Sequence, residues 1–220
     1  MKNFGMQALV LGELDTNCYL LWCEETRQAV IVDPADAGES IAEELLVRKL
    51  APTAILLTHG HFDHLLGSLS LQLSFDIPIY VHAEDTFLMA NAQKSAEHWL
   101  KHPVDPVPTA NFALEENQEI SFGNCSVRVL HTPGHTPGSC SFLYLPESAP
   151  DTDEQFIFSE MPYLFDGDVI FKEGIGSTSH RSSNRKQLDS SFQKIKDLGV
   201  IRIFPGHGES FVSSDQEMLA

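Results

Sequence analysis

The pattern of apolar and polar positions breaks the chain into strand-length runs interleaved with longer helical ones. Met6–Leu11, Asn17–Trp22 and Ala29–Val32 are short apolar runs. Polar Glu24–Gln28 between the last two reads as a turn, so the chain is expected to begin with a β-meander. Gly38–Leu50 carries Ile41, Leu45, Leu46 and Leu50 at helical spacing, and Ala54–Leu57 follows as a fully apolar strand. Phe62–Leu73 sets Leu65, Leu66, Leu69 and Leu73 on one stripe of a predicted helix. Ile77–Val81 then returns to strand and Glu84–Leu100 to helix.

The second half repeats the order of strand before helix. Glu119–Phe122 and Ser126–Leu130 flank Gly123-Asn124, a hairpin turn signal. Cys140–Leu145 and Gln155–Phe158 are predicted strands around Pro146–Glu154, a polar loop rich in Pro, Ser and Asp. Tyr163–Phe165 and Val169–Phe171 bracket Asp166-Gly167-Asp168. Arg185–Leu198 places Leu188, Phe192, Ile195 and Leu198 on a helical face, and Val200–Phe204 closes as a strand. Two mixed β-sheets with helices on their outer faces, an αββα sandwich of the α+β class, satisfy this order. No linker interrupts it, so residues 1–220 are expected to form one domain.

Composition narrows the function. Hydrophobic residues make up 42% of the 220, enough for a packed core, which excludes a disordered or collagen-like chain. Lys and Arg number 14 against 31 Asp and Glu, for a formal charge of −17. Such a surface repels phosphate backbones and acidic membranes, so neither nucleic acid nor membrane is an expected partner. Glu13, Asp15 and Asn17 interrupt the first apolar run before signal-peptide length. Cys18, Cys23, Cys125 and Cys140 form no CxxC pair and are expected as buried reduced thiols, which points to the cytoplasm. Nothing in the sequence sets the oligomeric state.

The chemistry concentrates in Thr58-His59-Gly60-His61-Phe62-Asp63-His64, directly after a strand. His59 and His61 are two apart and face one side of an extended segment. Asp63 and His64 fall on the turn that follows and can face a second point. Imidazole and carboxylate are ligands for zinc, iron or manganese, so this one turn could serve two metals. His131-Thr132-Pro133-Gly134-His135-Thr136-Pro137-Gly138 offers a further ligand from a stiff loop, with His135 favoured over His131. Asp168 lies in a tight turn from which it could bridge two cations. His207 sits in Pro205-Gly206-His207-Gly208, again just after a strand. Asp33 is a candidate to orient a ligating His from behind. His82 reads as a strand-end residue near the pocket, and His98 and His102 as solvated helix-end residues.

These motifs, together with Thr16-Asn17-Cys18-Tyr19 and Ile31-Val32-Asp33-Pro34, resemble the metallo-β-lactamase-fold hydrolases over nearly the whole chain. Within that superfamily, Trp22–Arg27 and Phe171–Gly176 are similar to the short, single-domain type II glyoxalases, the hydroxyacylglutathione hydrolases. The resemblance implies two divalent metal ions per chain, zinc first, with iron and manganese compatible. It places His59, His61 and His135 on one metal, Asp63, His64 and His207 on the other, and Asp168 between them. It implies hydrolysis of a thioester or related small acyl compound, such as S-lactoylglutathione, by a hydroxide between the metals, with Asp63 also orienting it and shuttling a proton. The C-terminal helical glutathione-binding domain of the longer glyoxalases is not expected. The basic residue that the family places about nine positions after the bridging Asp is here Ser177. His180, Arg181, Arg185 and Lys186 are the candidates to replace it against substrate. Superfamily members with nearly the same motifs are mononuclear-iron persulfide dioxygenases, the first alternative. A lactonase and a catalytically silent metal-binding protein follow.

Overall fold

A computed structural model describes residues 3–146, 161–199 and 201–214. The first runs form β1 (Phe4–Leu11), β2 (Thr16–Cys23) and β3 (Gln28–Val32), the expected antiparallel meander, with Tyr19 opposite Val32. β4 (Ala51–Leu56), β5 (Ile79–His82) and β6 (Phe112–Leu114) add in parallel, so the first sheet runs in the order β1 to β6. Parallel neighbours need crossovers. These are supplied by α1 (Gly38–Val47), α2 (Ser68–Phe75) and α3 (Thr86–Leu100).

The second half contributes β7 (Glu119–Phe122), β8 (Cys125–His131), β9 (Cys140–Tyr144) and β10 (Tyr163–Gly167). A separate hairpin, β11 (Ile170–Phe171) and β12 (Gly174–Ile175), follows. α4 (Arg185–Lys196), β13 (Arg202–Pro205) and β14 (Phe211–Val212) complete it. The second sheet has the order β14-β13-β10-β9-β8-β7, with β10 and β13 parallel.

Side-chain alternation builds the layers. β2 is buried along its whole length because both of its faces are covered. Cys18, Leu20 and Trp22 pack towards the helices with Ile41, Leu45, Leu71 and Met89. Tyr19, Leu21 and Cys23 pack against Phe122, Val127, Val129 and Phe142 of the second sheet. That sheet's outer face buries Leu130, Leu143, Leu164 and Ile203 against Leu188 and Ile195 of α4. The result is the expected αββα sandwich. All four cysteines are buried thiols. No helix among the described residues is long and apolar enough to cross a membrane.

Two expectations need correction. The single helix over Phe62–Leu73 is broken. Phe62–His64 forms a 3₁₀ turn, α2 starts only at Ser68, Leu71 is buried and Leu73 is 75% exposed. The break has a local cause: the Gly67 amide donates to Ala35 O at 2.6 Å, which ties the chain to the segment after β3 between the two turns. The edge strand β6 was not expected. Phe112 and Ala113 are exposed, so no apolar alternation marks it, and it is held by backbone pairing to β5. The predicted strand Gln155–Phe158 lies outside the described residues.

The four segments that carry the candidate metal donors each follow the C-terminal end of a strand: β4, β8, β10 and β13. Backbone bonds from Cys140 N to Thr58 O and from Asn17 N to Gly206 O, both 2.7 Å, tie the two sheets together beside these segments. The fold therefore gathers four distant stretches of sequence at one rim.

Candidate metal centre

At that rim His59 Nε2 and His135 Nε2 each lie 3.0 Å from His61 Nδ1. Three nitrogens around one tetrahedral ion at 2.0–2.1 Å would stand about 3.3 Å apart, so this triad needs little movement to chelate. A second group forms beside it. His64 Nε2 is 3.4 Å from Asp63 Oδ2, and His207 Nε2 is 3.3 Å from the same oxygen. Asp168 reaches both groups: Oδ2 is 3.5 Å from His135 Nε2, and Oδ1 is 3.5 Å from His64 Nε2. Among the described residues, His64 Nε2 and Asp168 Oδ1 are buried with no hydrogen-bond partner. Burying two polar atoms unpaired is costly, and a cation between them would satisfy both. The donor set thus fits divalent metal ions.

The electrostatics of the two groups differ. Burial, with the imidazoles of His64, His61 and His135 around it, holds His59 well below its ordinary pKa. Burial together with His135 and His180 pushes His61 down to about 3, and burial also lowers His135. The first triad is therefore neutral, with lone pairs free for a cation. Burial opposes a charge on His64, but the carboxylates of Asp63, Asp168 and Asp33 outweigh it and raise its pKa to about 10. Burial also opposes ionisation of Asp63, yet His64 and His207 hold it well below the usual carboxylate range. In the metal-free chain the second group is an ion pair network.

Supporting residues fix these positions. Asp33 Oδ2 accepts from Thr58 Oγ1 at 2.6 Å and contacts His64 Nδ1 at 2.9 Å, while Oδ1 accepts from Thr58 N at 2.8 Å. His135 Nδ1 is 2.9 Å from Ser177 O, and His207 Nδ1 is 3.0 Å from Leu14 O. These contacts leave the opposite ring nitrogen of each His to face the centre. Asn17 Nδ2 donates to Pro205 O and Gly208 O at 2.9 Å, and Tyr19 OH donates to Pro205 O at 2.6 Å, which anchors the His207 loop on β2. Position 206 admits only glycine: a Cβ there would lie 2.3 Å from Asp168 Oδ1 and 2.7 Å from His64 Cε1.

A family model for the metallo-beta-lactamase superfamily matches residues 11–148. The chain belongs to the metallo-beta-lactamase superfamily. It is 30% identical over 216 residues to hydroxyacylglutathione hydrolase GloC of Haemophilus influenzae, covering 97% of this chain and 94% of that one. Among solved structures it is similar to the B3 metallo-beta-lactamase BLEG-1, with a TM-score of 0.82, 30% identity and 96% of each chain covered. It is also similar to TTHA1623 in a di-iron-bound form, with a TM-score of 0.76, 30% identity and 93% of each chain covered.

Within this superfamily fold, all the expected donors converge: His59, His61, Asp63, His64, His135, Asp168 and His207. The competing His131 does not join them. Its Nε2 is 2.9 Å from Pro137 O, and its ring stacks on His82 at 4.1 Å. Of the basic candidates for substrate, exposed His180 stands nearest, its ring 4.6 Å from that of His61. Arg185 instead pairs with Asp189 one helical turn on. Lys186 lines a separate cleft of about 430 Å³ with His131, Pro133 and Lys194. Arg181 is exposed. His98 and His102 are exposed, His102 facing Glu13 at 2.8 Å. Sequence reasoning missed Asp85, which is completely buried beside the triad. Its only sequence signal is its place in the first turn of the predicted helix Glu84–Leu100, where an acid reads as an ordinary complement to the helix dipole.

Proposed function

We propose that this protein is a dinuclear metallohydrolase acting on a thioester or related acyl compound. One observation carries the reading: a single carboxylate, Asp168, is within 3.5 Å of donors in both groups. On this reading His59, His61 and His135 hold one metal, Asp63, His64 and His207 hold the other, and Asp168 spans them. Zinc is the first expectation, and the di-iron form of TTHA1623 keeps iron in view. When bound, the metals supply Lewis acidity, polarising the acyl carbonyl and bringing the pKa of coordinated water to about 7.

The chain's own residues do the rest. Asp63, 15% exposed at its side chain, would be the acid–base residue as well as a metal ligand. Asp33 keeps the His64 ring turned towards the centre. His180 beside the first triad is the substrate contact in place of the basic residue absent at Ser177. Similarity to hydroxyacylglutathione hydrolase GloC makes S-lactoylglutathione the first substrate to try.

The test is elemental analysis followed by turnover of S-lactoylglutathione on the same sample. Two metals per chain with rapid turnover is the expected result. Two metals without turnover keeps the hydrolase and discards glutathione. One iron per chain with oxygen uptake on a persulfide would replace the reading with a dioxygenase.

A further inference from the structure

Asp85 stands at the N-cap position of α3, yet its side chain makes no capping bond to that helix. It turns into the rim instead. Its carboxylate accepts from Gly60 N at 2.8 Å, Gly138 N at 2.7 Å and Thr136 Oγ1 at 2.6 Å. Gly60 lies between His59 and His61, and Thr136 follows His135. One buried acid thus grips both loops that carry the first triad, within one residue of each imidazole. The fit is close, since a Cβ at Gly138 would lie 2.7 Å from Asp85 Cγ. Thr136 is further braced by Ser139, whose Oγ is 2.7 Å from Thr136 Oγ1. α3 gives the acid a firm base, with Met89 and Ala92 buried against the first sheet.

We infer that Asp85 is a positioning residue for the first metal: it sets the spacing of His59 and His61 against His135 by clamping their loops to the start of α3. It touches neither donor group directly, and acts through two backbone amides and one hydroxyl. This rests on the reading that His59, His61 and His135 bind a metal. The consequence is selective. Loosening the clamp weakens the first triad, whereas His64 and His207 of the second group keep their own supports in Asp33, Leu14 and Asn17.

The experiment is metal affinity by chelator competition on Asp85→Asn, Thr136→Val, Thr136→Ser and wild-type protein, with cobalt(II) spectra to follow the first site. Outer partners of metal ligands typically change affinity by about 10- to 100-fold. Asp85→Asn is expected to weaken one of the two sites about tenfold or more, and to leave the other within about threefold. Thr136→Val removes the hydroxyl's contacts with Asp85 and Ser139 while keeping the acid itself, and should shift the same site in the same direction. Thr136→Ser keeps the hydroxyl and should hold wild-type affinity and spectrum. Should Asp85→Asn fail to fold, the two Thr136 variants decide alone. Equal weakening of both sites, unchanged affinity in Thr136→Val, or loss in Thr136→Ser equal to that in Thr136→Val would overturn the inference. Wild-type protein that binds no metal would instead overturn the metallohydrolase reading itself.

Discussion

His59 Nε2 lies 3.0 Å from His61 Nδ1, and the Asp168 carboxylate lies within 3.5 Å of donors in both groups. Removing either should therefore remove function rather than merely reduce it. His59→Ala and Asp168→Ala are each expected to abolish turnover and to lower metal content, measured by elemental analysis of folded protein. Full activity in either variant would end the two-metal model. Gly206 gives a steric test of the same centre. Its missing side chain lets Asp168 and His64 approach, so Gly206→Ala should force them apart. The expected outcome is loss of metal affinity by at least about tenfold with an unchanged circular dichroism spectrum. At this scale the donors were legible in sequence, because His59, His61, Asp63 and His64 crowd ligand chemistry into one short turn that no core or helix pattern requires. Asp85 was not, because its local context describes the first turn of a helix and its real partners lie in Gly60, Thr136 and Gly138.

At the scale of elements, α4 is the clearest case of a local signal that is also structural. Its N-cap Asn184 accepts from Lys186 N at 3.0 Å and Gln187 N at 3.3 Å. Its backbone amide donates to Gly134 O at 2.8 Å and so holds the loop that carries His135. Asn184→Ala removes the cap and keeps that backbone bond. It should lower stability by about 1 kcal/mol, read from the urea midpoint, with metal content retained. A loss of metal with unchanged stability would assign the side chain a different role. Most strands and three of the four predicted helices were legible from periodicity. The fourth was not, since the apolar stripe of Phe62–Leu73 continues across a break made by the 3₁₀ turn and the Gly67 amide. β6 was hidden for a related reason: strand pairing uses backbone groups, and an exposed edge strand needs no apolar pattern.

For the whole molecule, the centre ties charge and metal to stability. Burial disfavours a charge on His64, but Asp63, Asp168 and Asp33 raise its pKa from 6.5 to about 10 in the metal-free chain. A raised imidazole pKa favours the folded state fully below 6.5, and that contribution is lost as pH rises towards about 10. Chelator-treated protein should therefore lose stability across this window, whereas metal-loaded protein should hold it. Urea midpoints at stepped pH check this, and parallel curves for the two forms would contradict it. Metal itself, binding only the folded chain, should raise stability by about 2.7 kcal/mol at a hundredfold excess over its dissociation constant.

Sequence alone determined the layered class, the meander, the hairpin at Gly123-Asn124 and the cluster of candidate donors in His59–His64, because each rests on spacing within a few residues. Tertiary structure decided what joins distant segments. It chose His135 over His131 by turning one ring to the centre and stacking the other on His82. It singled out His180 among the basic candidates by setting it beside His61. It drew Asp85 away from its own helix into two loops. Periodicity records which face of an element is buried. It carries no information about which loop from elsewhere in the chain will arrive at that element's end, and the centre is assembled from such arrivals.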